Sequence, residues 1–146
     1  MLRAGTAILT FWAGIRLIIA LGILALLLVF HKNAPILVVL YGDIQGRGVD
    51  ARALAAINAL SVLCNAAIVA MCLLSLTVIW CALVRGAAWA VWSLAACVFF
   101  LQGASFFTDS LVSHPDLLGN AAVCSIPLIG IIFAAIGVSR RPTANA

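Results

Sequence analysis

Four long apolar stretches, set apart by short polar breaks, run along the chain at residues 7–30, 54–84, 87–107 and 117–138. A helix rises about 1.5 Å per residue, so about 20 mostly apolar residues cross a hydrocarbon core of roughly 30 Å. Each stretch meets that length. The second carries no charge and exceeds the hydrocarbon thickness, so it is expected to tilt or protrude. The pattern predicts an all-α, integral membrane four-helix (tetraspan) bundle, a single transmembrane domain over residues 1–146 with a long first outer loop. An even number of crossings puts both termini on one side. A cleaved leader is a poor fit to the first stretch: its apolar region is too long, Arg16 interrupts it, and His31-Lys32-Asn33 is not a small-residue cleavage site.

The connections say which helices must be neighbours. Stretches two and three are joined by little more than Arg85-Gly86, which forces an antiparallel pair. Between three and four, Ser113-His114-Pro115-Asp116 reads as a turn and the start of the last helix. The first outer loop, residues 31–53, contains an apolar run from Pro35 to Tyr41 that is too short to cross and too greasy to float freely. An interfacial or re-entrant segment is expected there. The following Gly42 to Gly48 segment is loop chemistry, and Asp50 is placed to cap the second helix.

Composition agrees with the pattern. Apolar residues make up 66% of the chain and charged ones 8%, against roughly 25% in an ordinary soluble domain. With a mean hydropathy of +1.29, a water-soluble enzyme with a charged surface is excluded. Lys and Arg beside a span are held on the cytoplasmic side. The N-terminus, the hairpin and the C-terminus carry Arg3, Arg85, Arg140 and Arg141 and no acid. The opposite loops carry Lys32, Arg47 and Arg52 together with every acid, Asp43, Asp50, Asp109 and Asp116. Both termini are therefore expected in the cytoplasm of a bacterial cell, across its inner membrane. Trp80, Trp89 and Trp92 flank the Arg85 hairpin, and Trp12 falls on the same side by parity, so the tryptophans mark one headgroup level. The net charge of +4 suits anionic lipid better than nucleic acid.

Polar residues inside spans are the functional pointers, because hydrocarbon penalises them. Asn58, Asn65 and Cys72 recur at seven-residue intervals with Ser61 beside them, drawing one stripe down span two. On span three, Gln102, Ser105 and Asp109 share a face. These stripes read either as architectural interhelical hydrogen bonds or as a polar cavity opening outward, with Asp109 at its mouth. Arg16 either snorkels toward the headgroups near Trp12 or lies in an interior site with Asn65 or Gln102, where it could hold an anionic ligand. Small residues let backbones approach in lipid. Ala55 with Ala59, Ala66 with Ala70, and Gly130 with Ala134 and Gly137 are expected packing seams, internal or between copies. Pro127 should kink the last helix.

The search for reactive groups returns mostly absences. Cys64, Cys72, Cys81, Cys97 and Cys124 all lie in spans with no CxxC pair and read as small apolar fillers. Gly46 to Ala51 resembles a dinucleotide fingerprint without the βαβ unit that gives it meaning. Gly103-Ala-Ser105 opens like a nucleophile elbow and lacks its closing glycine. There is no glutamate to act as an intramembrane proton carrier. The reading is a non-catalytic small inner-membrane protein, accessory, immunity-like or complex-forming. It has no catalytic residue, metal or cofactor assigned, and its partner surface is the outer loop at Tyr41, Asp43, Gln45 and Arg47. Its partners are the lipid bilayer and another membrane protein or a second copy, not nucleic acid. The alternative is a small transporter or channel subunit with Arg16, Asn58, Asn65, Gln102 and Asp109 along a polar path. A lower alternative is a membrane enzyme using His31 and His114 with Asp109 and Asp116.

Overall fold

The computed structural model describes residues 1–29, 50–110 and 117–140. Those residues are all-helical, with no strand among them. Helix α1 spans Leu2–Val29 and α2 spans Ala51–Val78, followed without a break by a π-helical turn over Ile79–Leu83. Helices α3, Ala88–Ser110, and α4, Leu117–Ser139, complete the order. Two helical runs, Leu2–Val29 and Arg52–Leu83, are long and apolar enough to cross a membrane; Ala88–Ala104 and Val123–Ser139 are shorter apolar helices. The expected loop segment from Pro35 to Tyr41 and the Ser113 to Asp116 turn lie outside the described residues.

The helix ends follow local chemistry. At the start of α2, the Asp50 carboxylate accepts the Arg52 N–H at 3.2 Å while the Asp50 carbonyl accepts the Leu54 N–H, so Asp50 acts as the expected cap. Helix α1 begins at Leu2 rather than at Ala7, because Arg3 and Thr6 do not interrupt an N-terminal turn and Thr6 Oγ1 donates to the Leu2 carbonyl. Helix α4 runs on through Pro127, whose side chain is buried.

The chain divides into two compact units, Met1–Ile15 with Met71–Ala146, and Arg16–Ala70. The first has a core of Leu2, Leu9, Ile79, Leu83, Leu94 and Ala134, edged by smaller side chains. The α2–α3 hairpin that builds it ends in a paired-bond cap. Gly86 N–H donates to the Leu83 carbonyl at 2.8 Å and Ala87 N–H to the Ala82 carbonyl at 3.1 Å, with Gly86 at a φ of 85°. Only glycine takes that left-handed conformation without strain, which costs other residues roughly 1–2 kcal/mol. Gly86→Ala is therefore expected to lower stability by about that amount in unfolding titrations in detergent micelles, and Gly86→Asn by less. The π turn was not legible in the sequence. It inserts an extra residue into the turn so that Ile79, Ala82 and Leu83 are all buried while Trp80 and Cys81 face out.

Helices α1 and α4 run antiparallel in close contact: Leu2 meets Gly137, Gly5 meets Ala134, and Leu9 meets Gly130. A Cβ on Gly5 would lie 2.5 Å from the Ala134 nitrogen and 2.8 Å from the Gly130 carbonyl oxygen. The Gly130, Ala134 and Gly137 seam is thus an internal one, filled by α1. For the two alanine seams expected on span two, the internal alternative is corrected: Ala55, Ala59, Ala66 and Ala70 are exposed in the single chain. The buried face of α2 is set instead by Asn58, Asn65 and Cys72, at seven-residue spacing along the helix, and Ile79 continues that spacing into the π turn. Alanine is small enough to be allowed at a close contact, but it does not require one. A packed glycine does, because its missing side chain is the space the neighbour occupies.

Candidate functional site

The polar side chains of the spans are the candidate site, and helix geometry fixes where they go. A seven-residue interval is almost two full turns, so Asn58, Asn65 and Cys72 fall on one face of α2, and all three are buried. Ser75 follows on the same face, also buried. Arg16, Asn58 and Asn65 belong to the Arg16–Ala70 unit, where Arg16 is half-buried. Gln102 is buried in the other unit. Asp109 lies in the last turn of α3, and its side chain is outside the described residues, as are Tyr41, Asp43, Gln45 and Arg47 of the expected partner surface.

Most of these groups satisfy themselves on their own helix. Asn65 Nδ2 donates to the Ser61 carbonyl at 3.0 Å, Ser61 Oγ to the Ile57 carbonyl at 2.8 Å, and Ser75 Oγ to the Met71 carbonyl at 2.8 Å. Thr77 Oγ1 does the same to Leu73. Such bonds to the carbonyl one turn earlier let a hydroxyl or amide sit where no water reaches it. Asn58 differs: its Oδ1 is buried with no hydrogen-bond partner among the described residues. An unmade bond of that kind costs about 1–3 kcal/mol, which singles Asn58 out from the rest of the stripe.

A side-chain contact between helices involves a cysteine: Ser75 Oγ lies 3.2 Å from Cys97 Sγ, linking α2 and α3. Cys72 and Cys124 are buried, as fillers should be, whereas Cys64 and Cys81 are exposed and fill nothing among the described residues. The aromatic belt also needs one correction. Trp80, Trp89 and Trp92 are exposed, whereas Trp12 is buried, so its ring is not on the outer surface with the other three. Among the described residues no group of three or more His, Cys, Asp or Glu is placed to hold a metal ion.

Sequence reasoning missed a second feature. Arg3, Thr6 and Thr10 line an open groove of about 680 Å³ whose opposite wall is Trp80 and Val84. The signal was present as a spacing of three and then four residues along the first helix, which puts all three on one side. The facing wall was not readable, because it depends on the π turn. No protein-family model, curated protein or solved structure matches the chain, so its function has to be read from these residues alone.

Proposed function

We propose that this chain is an integral membrane tetraspan of a bacterial inner membrane, both termini cytoplasmic, acting without covalent catalysis as an accessory, immunity-like or complex-forming factor. The supporting observation is the exterior of its helices. Only 22% of the most apolar window of α1 and 28% of that of the α2 run are buried, whereas the core helix of a soluble protein is mostly buried. Phe11, Ile18, Leu63, Leu74, Trp92 and Phe99 face outward, while Asn58, Asn65, Ser75 and Gln102 are inside. In water, exposing six such side chains would forfeit on the order of 10 kcal/mol, as much as the whole net stability of a domain. In hydrocarbon that loss disappears. The exposed hydroxyls of Ser61 and Thr77, each bonded back to its own helix, suit the same solvent.

The partner surface is the outer loop, with Tyr41, Asp43, Gln45 and Arg47 as its polar and aromatic positions. The transporter reading is retained beside it on one observation, the buried amides at Asn58, Asn65 and Gln102. A single set of measurements tests both. The untagged chain is expected to stay with carbonate-washed membranes, and alkaline phosphatase fused to its C-terminus is expected to be inactive. Exchange of residues 36–50 for a flexible linker should abolish crosslinking to the partner at unchanged membrane abundance, with Asn65→Leu leaving it intact. Release by carbonate overturns the membrane reading, and an active phosphatase fusion reverses the topology. Solute flux in proteoliposomes that Asn65→Leu abolishes would replace the accessory role with the transporter.

A further inference from the structure

The groove beside the first turns of α1 is graded in its chemistry. Arg3 stands near the start of the helix, and Phe11 lies eight residues on, about 12 Å along the axis. Thr6 and Thr10 fall between them, and Trp80 with Val84 closes the far side. Phe11, Trp80 and Val84 are exposed, so the groove opens on the outside of the unit. Among the described residues, Arg3 is the one charge in its lining and no acid lines it. Leu2 packs on Gly137, so the last turn of α4, with Arg140, ends at the same end of the unit. The N-terminus, hairpin and C-terminus carry no acidic side chain that could pair with Arg3 or repel a bound anion. Thr6 Oγ1 already donates to the Leu2 carbonyl at 2.9 Å and Thr10 Oγ1 is buried, so the charged donor that the groove offers is the exposed Arg3.

We infer that this groove seats one anionic phospholipid, its phosphate on Arg3 and an acyl chain along Phe11 and Trp80. The inference rests on the membrane reading above and adds a headgroup preference to it. Arginine matches phosphate with several N–H donors, and Trp at the headgroup level suits a ring that is apolar at one end and polar at the other. A groove of about 640 Å³ between α3 and α4, walled by Trp92, Phe99, Phe100 and Leu128, has no charged lining among the described residues and serves as an internal reference: it takes acyl chains without selecting a headgroup.

The experiment uses the full chain in phosphatidylcholine vesicles containing a tenth of either brominated phosphatidylglycerol or brominated phosphatidylcholine. The signal is the part of the tryptophan quenching that Trp80→Phe removes. Quenching by the anionic lipid is expected to be about fivefold more effective than by the zwitterionic one, the factor one basic residue supplies at a lipid surface. Arg3→Gln should erase that preference and leave quenching by brominated phosphatidylcholine unchanged, while Arg140→Gln should leave the preference in place. Equal quenching by the two lipids overturns the proposal, as does a preference that survives Arg3→Gln or that Arg140→Gln removes equally. Failure of the chain to float with the vesicles, with no quenching by either lipid, removes the membrane reading and this proposal with it.

Discussion

Gly5→Leu is expected to disrupt the α1–α4 crossing, lowering stability by about 3 kcal/mol in detergent-micelle unfolding titrations. The obstacle is backbone: a Cβ at this position meets the Ala134 nitrogen at 2.5 Å and the Gly130 carbonyl oxygen at 2.8 Å. A flexible side chain could swing aside, but a helix backbone must translate as a whole, and the seam then opens at Gly130 and Gly137 as well. Gly137→Leu should behave alike, since its Cβ would run into the backbone of Leu2. Gly14→Ala and Gly22→Ala are the matched controls. Nothing lies within 4 Å of a Cβ at either site, so removing a helical glycine there should be neutral or stabilising by up to about 1 kcal/mol. Equal losses at Gly5 and Gly14 would show that helix propensity, not the crossing, governs these positions.

Asn58→Leu is expected to raise stability by about 1–2 kcal/mol, while Asn65→Leu is expected to be neutral or slightly destabilising. Both asparagines are buried on one face of α2, and leucine has a similar branched shape. They differ in hydrogen bonding: Asn65 Nδ2 reaches the Ser61 carbonyl at 3.0 Å, whereas Asn58 Oδ1 has no partner among the described residues. Replacing an unsatisfied acceptor with an apolar group removes a desolvation penalty; replacing a satisfied amide only trades one favourable contact for another. The same titrations measure both variants. A destabilising Asn58→Leu would mean that this carbonyl is solvated, as a polar path through the chain requires. A stabilised variant that has lost its biological activity would mark Asn58 as a residue kept for function at the expense of stability.

Much of the helical layout was legible because it depends on length and local chemistry. Apolar stretches long enough to cross a membrane became helices, the Asp50 cap formed where an aspartate precedes a helix, and the seven-residue recurrence of Asn58, Asn65 and Cys72 put all three on a buried face. The misses share one cause. These helices are apolar nearly all the way round, so hydropathy does not say which face packs. Ala55, Ala59, Ala66 and Ala70 carried the expected small-residue spacing and are exposed, while Gly5, which no spacing rule singled out, sits against the backbone of α4. Trp12, grouped with the other tryptophans by parity, is buried where they are exposed.

The residues by themselves determined that most of this polypeptide is helical and that Asn58 and Asn65, seven residues apart, share a buried face, while of the four stretches expected to cross a bilayer two, Leu2–Val29 and Arg52–Leu83, form helices long and apolar enough to do so among the described residues. Those properties follow from rise per residue, turn periodicity and the cost of burying polar groups, all of which act over a few turns. Tertiary structure alone decided that α1 fills the glycine seam of α4, that the π turn sets Trp80 across from Arg3 to form a groove, and that Asn58 differs from Asn65. Each of these depends on shape complementarity between segments far apart in the chain, and composition carries no record of shape.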